Sequence, residues 1–181
     1  QALFPARNKE KRSQKKYGFF QSEKESFITI ANQLALIQNC EESWCRHPLA
    51  FLVEAADDIC YSIIDLEDGC SLGLISFTEA SALFENVITT SKPKLGKLSQ
   101  LKGPQEKIGF LRALAIGDLV NECVELFLDH ENDILTASFD RSLSDESLSK
   151  DGLKEIIRVS IDKIYRARHV VEIEASGHEV L

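Results

Sequence analysis

The sequence predicts an all-α fold of five or six helices, and three observations predict it. Apolar residues recur at three- and four-residue spacing along several separate stretches. Two of those stretches open on S-x-x-E, the pattern that caps a helix start. No segment alternates at the two-residue period of a strand over any useful length, so no sheet of any size is expected.

The elements follow in order. Residues 1–20 form a basic arm that ends in the aromatic cluster Tyr17-Gly-Phe-Phe20, an expected anchor to a helical body over 21–181. Ser22 and Glu25 open a helix to about residue 38, with Phe27, Ile30, Ala31 and Leu34 on its apolar side. Residues 39–47 read as a connection. Pro48 suits the first turn of the next helix, which runs to about Asp68 and stops before Gly69, an expected left-handed cap. Ser76 and Glu79 repeat the capping pattern and open a helix to about Val87. The lysine-rich segment 89–103 reads as an exposed loop. From Pro104 to about residue 137 apolar residues lie on several sides of one long helix, the mark of burial among other helices. Residues 138–149, rich in Ser and Asp, read as loop. Leu153, Ile156, Ile157, Ile161 and Ile164 make a further amphipathic helix, and the tail after His169 breaks at Gly177.

Composition narrows the function. With 44% hydrophobic residues, nine glycines and four prolines, the chain is neither disordered nor fibrous. It lacks the ~18-residue apolar run of a membrane span and the pattern of a signal peptide, so no membrane partner and a cytoplasmic setting are expected. The net charge of −8 is unevenly placed: residues 6–16 carry six bases and one acid. The acidic remainder will not attract nucleic acid at long range, whereas the arm can contact single-stranded DNA or a phosphate locally. The five cysteines form no CxxC pair and are expected as thiols; Cys40, Cys45 and His47 make a poor metal clip without a second half. The chain contains no methionine and starts at Gln1, which reads as a processed end or the edge of an internal fragment.

The chemistry concentrates in PLAFLVEAADDICYSIIDLED (48–68). On a helical wheel Leu49, Leu52, Val53, Ala56, Ile59, Cys60 and Ile63 cluster about one direction. Glu54, Asp57, Tyr61, Asp65 and Asp68 fall within an arc of about 80°. Asp57 borders the apolar stripe and Asp58 points away from it. Four carboxylates with no Lys or Arg at i+4 repel one another unless a cation sits there. Mg²⁺ or Mn²⁺ meets that need, and a solvated acidic face is the alternative.

RHPLAFLVEAADDICYSIIDLEDG (46–69) strongly resembles a signature segment of the bacterial deoxyguanosine triphosphate triphosphohydrolases, members of the HD-domain superfamily. KKYGFFQSEKE (15–25), EKIGFLRALAIGDLV (106–120) and KIYRARHVVEIEASGHEVL (163–181) resemble further segments of that family, in its order. The resemblance implies the later helices of an HD-type bundle that hydrolyses a deoxynucleoside triphosphate, dGTP foremost, with a divalent metal. It aligns Asp57 with the family's last metal-binding aspartate, followed by Tyr at +4 and Asp at +8. It further implies that Tyr61 and Asp65 face the triphosphate and sugar, that Lys16 contacts phosphate, and that Tyr165 and Glu174 face the nucleobase.

The departure from the family is equally plain. None of His47, His130, His169 and His178 is followed by Asp, so the family's His-Asp ligands are missing. The resemblance therefore implies no catalytic residue within this segment and no activity from it alone. A non-hydrolytic nucleotide-sensing or nucleic-acid-binding module is the competing reading. A homo-oligomer is also expected, since the long apolar helix after Pro104 suits contacts between copies.

Overall fold

Two long helices, α2 (Pro48–Ser71) and α4 (Pro104–Asp129), run antiparallel along the middle of the computed structural model, which describes residues 18–40 and 43–180 without the side chains of 40, 169, 174 and 178–180. The start of α4 meets the end of α2, where Arg112 pairs with Glu67 at 2.5 Å. Around them pack α3 (Phe77–Val87), the short turns α5 (Glu131–Leu135) and α6 (Leu143–Glu146), and α7 (Lys150–Ser160). Ile59, Ile63 and Leu66 of α2 meet Leu111, Ala115 and Leu119 of α4, with Phe84 and Ile156 closing the core from α3 and α7. The all-α class is as the sequence predicts.

Several boundaries differ, each for a local reason. α1 (Lys24–Gln33) stops earlier than residue 38 because Ala35 turns left-handed at φ 50°. The chain then forms a small antiparallel hairpin, β1 (Gln38–Cys40) with β2 (Ser43–Trp44). The α1 start is not capped by Ser22; Glu23 reaches back to accept the N–H of Phe20 at 3.1 Å, in a 3₁₀ turn over Gln21–Glu23. Phe19 stacks on Phe27 at 4.4 Å, and Phe27 meets Trp44 edge-on. The rest of the arm, Lys16 included, lies outside the described residues.

Gly69 is not a cap. It is buried within α2, where a Cβ would lie 2.5 Å from Ile164 Cδ1, so it allows a close approach; the left-handed turn falls at Gly73, φ 73°. Ser76 caps α3 as expected, accepting the N–H of Glu79 at 3.2 Å. Segment 92–100 winds as a 3₁₀ helix and tucks Leu95 and Leu98 against the core. α4 ends at Asp129, not near 137. α7 continues through a π-helical turn, Ile161–Tyr165, and α8 (Arg168–Val180) runs through Gly177 without breaking.

The serine-rich stretch 138–149 is far from a loose loop. Ser142 caps α6, and Ser144, Ser147 and Ser149 are buried. Ser149 bonds Glu122 on the core side of α4, and one turn before Glu122 lies a second buried acid, Asp118. Asp118, 3% exposed, accepts the N–H groups of Thr89 and Ser91 and the Ser91 hydroxyl at 2.7–2.8 Å. Burial alone would raise its pKa, but these donors and Lys94 hold it below the ordinary carboxylate value. Glu122, one turn on, accepts the Thr89 hydroxyl and both the N–H and hydroxyl of Ser149. Together they fasten the end of α3 and the start of α7 to α4.

Candidate functional site

The face of α2 that packs within this chain is not the one the wheel suggested. Phe51, Ala55, Ile59, Ser62, Ile63, Leu66 and Gly69 are buried, a direction rotated by about 90° from the predicted centre. Leu49 (57% exposed) and Val53 (68%) stand in solvent with Ala56 and Cys60. Asp58, expected to point outward, is half-buried and accepts the Ser144 hydroxyl at 2.5 Å. Asp57 is exposed; it borders the uncovered apolar strip and not the core.

The acidic ridge is also divided. Glu54 pairs with Arg46 at 2.6 Å, so the ridge is not free of basic partners. Arg46, which the sequence did not single out, lies 4.0 Å over the Phe51 ring. Asp57, Tyr61 and Asp65 follow one another at i, i+4 spacing, which places each carboxylate one turn from the tyrosine.

The π turn after α7 brings Tyr165 to this ladder. Its hydroxyl donates to Asp65 Oδ2, and its ring lies 5.8 Å from that of Tyr61, inclined by 32°. Three of the predicted residues thus form one cluster although Tyr165 is 100 positions from Asp65. Burial pushes the Tyr165 phenol well above its usual value, and donation to Asp65 adds to the rise. It therefore stays a neutral donor at physiological pH. Tyr61 is 55% exposed and half of a two-ring aromatic surface, while Asp65 keeps further acceptor capacity. Such a surface can pack against a sugar ring and accept from a hydroxyl beside it. Glu174 belongs to α8, but its side chain lies outside the described residues, as does Lys16.

No group of three or more His, Cys, Asp or Glu side chains that could hold a metal occurs among the described residues. The described residues do not make a complete metal site; Asp57 offers one carboxylate. Cys45 and His47 serve local structure: the thiol donates to Asn39 Oδ1 at 2.9 Å, and His47 Nδ1 accepts the N–H of Leu49 at the start of α2. Cys60, Cys70 and Cys123 are free thiols. A separate cavity of about 320 Å³, lined by Glu67, Cys70, Ser76, Pro104 and Ile108, opens at the other end of α2 and contains none of the predicted residues.

No family model matches the sequence. Individual relatives do. A deoxyguanosinetriphosphate triphosphohydrolase-like protein of Synechocystis is 44% identical over 173 residues, which is 94% of this chain and 38% of the relative. A protein of the same description from Listeria monocytogenes is 29% identical over 96% of the chain and 38% of its own length. A deoxyguanosinetriphosphate triphosphohydrolase of Yersinia pestis is 25% identical over 92% of the chain and 35% of its own length. The chain spans well under half the length of these relatives. Nearly the whole chain thus aligns with a part of proteins described as deoxyguanosinetriphosphate triphosphohydrolase-like, at 44% identity to the one from Synechocystis.

Proposed function

We propose that the intact protein containing this chain hydrolyses a deoxynucleoside triphosphate, dGTP foremost, to the deoxynucleoside and triphosphate. The observation that carries the reading is the cluster of Tyr61, Asp65 and Tyr165 on α2 and the π turn. The names of the relatives support the reaction class. In this reading the two tyrosine rings pack against the deoxyribose, where a 2′-hydroxyl would be excluded, and Asp65 accepts from the sugar. Glu174 is assigned to the nucleobase edge and Lys16 to phosphate.

A triphosphate cannot approach Asp57, Asp65 and Asp68 without cations between the like charges. That requirement supports a divalent ion, Mg²⁺ or Mn²⁺, to which Asp57 contributes one ligand and residues outside this chain the others. The test is to incubate the intact protein with each dNTP plus Mg²⁺ or Mn²⁺ and to resolve the products by anion exchange. Release of intact triphosphate is expected, with at least 100-fold less on Asp57→Ala, roughly the loss of several kcal/mol of transition-state stabilisation. Binding of dNTP without any triphosphate would instead support the non-hydrolytic sensing module.

A further inference from the structure

Segment 139–146 grips one flank of α2, and the grip bears on the residue next to Asp57. Successive residues of a helix point about 100° apart, so Asp58 is half-buried where Asp57 is exposed. Asp58 accepts the hydroxyl of Ser144, a buried residue of α6. Ser144 is held in turn: its hydroxyl lies 3.2 Å from that of Ser142, and its carbonyl accepts the Ser147 hydroxyl at 3.0 Å. Burial, with the charges of Glu122 and Asp58, pushes the Cys123 thiol up to about 11, so Asp58 also lies close to α4. One turn before Asp58, Glu54 is held by Arg46, which donates to the Arg141 carbonyl at 3.2 Å and lies 3.7 Å from Asp140. Phe51, on which that guanidinium rests, meets the Phe139 ring edge-on.

We propose that Ser144 is a positioning residue: through Asp58 it sets the rotation of α2, and with it the place of Asp57, on the reading above that Asp57 ligates the divalent ion. A turn of α2 by roughly 10° about its own axis shifts a carboxylate about 6 Å from that axis by about 1 Å. Metal–oxygen distances tolerate only about 0.2 Å. Misplacement of a reacting group by about 1 Å costs on the order of 100-fold in rate. The Tyr61 ring rides on the same helix, but a ring packed against a sugar yields more readily, because van der Waals contact weakens gradually with distance. Loss of the Ser144 hydroxyl therefore falls on the metal first and on nucleotide binding second.

The test compares the intact protein with Ser144→Ala and with Ser149→Ala. Both changes take one buried hydroxyl from a carboxylate and leave every charge in place, but Ser149 bonds Glu122 of α4 and the Val87 carbonyl of α3, not α2. Mn²⁺ binding is read from the electron paramagnetic resonance of the free ion, and kcat and KM from triphosphate released from dGTP. Ser144→Ala should weaken Mn²⁺ binding about tenfold and lower kcat by at least as much, with KM for dGTP raised by no more than about threefold. Ser149→Ala should lower the urea midpoint yet leave Mn²⁺ affinity and kcat within about twofold of the parent. Equal loss of Mn²⁺ affinity in both variants, or none in Ser144→Ala, overturns the positioning role, as does an intact protein that binds no Mn²⁺. An intact protein that binds Mn²⁺ but releases no triphosphate defeats the proposed reaction alone, and the Mn²⁺ comparison still decides for or against Ser144.

Discussion

Asp118 illustrates how much a single buried acceptor can hold. Its carboxylate serves two backbone N–H groups and a hydroxyl in the turn that follows α3. Asp118→Ala leaves those donors unmatched and should lower stability by about 2–4 kcal/mol in urea titration. Because the folded pKa is depressed, the folded state binds fewer protons than the unfolded one near the ordinary carboxylate pKa. The contribution is complete above about pH 5 and declines as pH falls through the folded value, so the difference between wild type and variant should shrink toward about pH 3. Tyr165→Phe removes only the hydroxyl that donates to Asp65. A stability loss of about 1 kcal/mol is expected, with a several-fold rise in KM for dNTP in the intact protein; an unchanged KM would separate Tyr165 from the substrate.

At the scale of elements, Gly69 decides how closely α2 and the π turn approach. A side chain there meets Ile164, one residue before Tyr165. Gly69→Val should therefore cost roughly 1–3 kcal/mol as overpacking and displace Tyr165 from Asp65. Near-ultraviolet circular dichroism, which senses the tyrosine environment, should change more than the far-ultraviolet signal. An unaltered tyrosine signal would show that the close approach does not position the site. The glycine is visible in the sequence, but its role is not, because its partner lies 95 positions away.

For the whole molecule, the uncovered faces of α2 and α4 set the behaviour of residues 1–181 made alone. Leu49, Val53, Val120, Val124 and Leu128 expose apolar area that drives association. The isolated segment should self-associate in light scattering, release no triphosphate from any dNTP, and bind Mn²⁺ no tighter than on the order of millimolar, as befits one carboxylate. A monomer with micromolar affinity for Mn²⁺ would show that the site needs nothing outside these residues.

The sequence by itself determined the helical class, the capping of α3 by Ser76, the proline-led starts of α2 and α4, and the ladder Asp57–Tyr61–Asp65. All of these are set by neighbours within a turn or two. Only the tertiary structure decided which side of α2 is core. Apolar residues cover more than half of that helix's circumference, so periodicity locates an apolar sector without saying which part packs inside this chain. It likewise decided the burial of Asp118, Glu122 and the serines of 142–149, and the meeting of Tyr165 with Asp65. A polar residue's partner depends on which distant element arrives beside it, and local spacing carries no record of that.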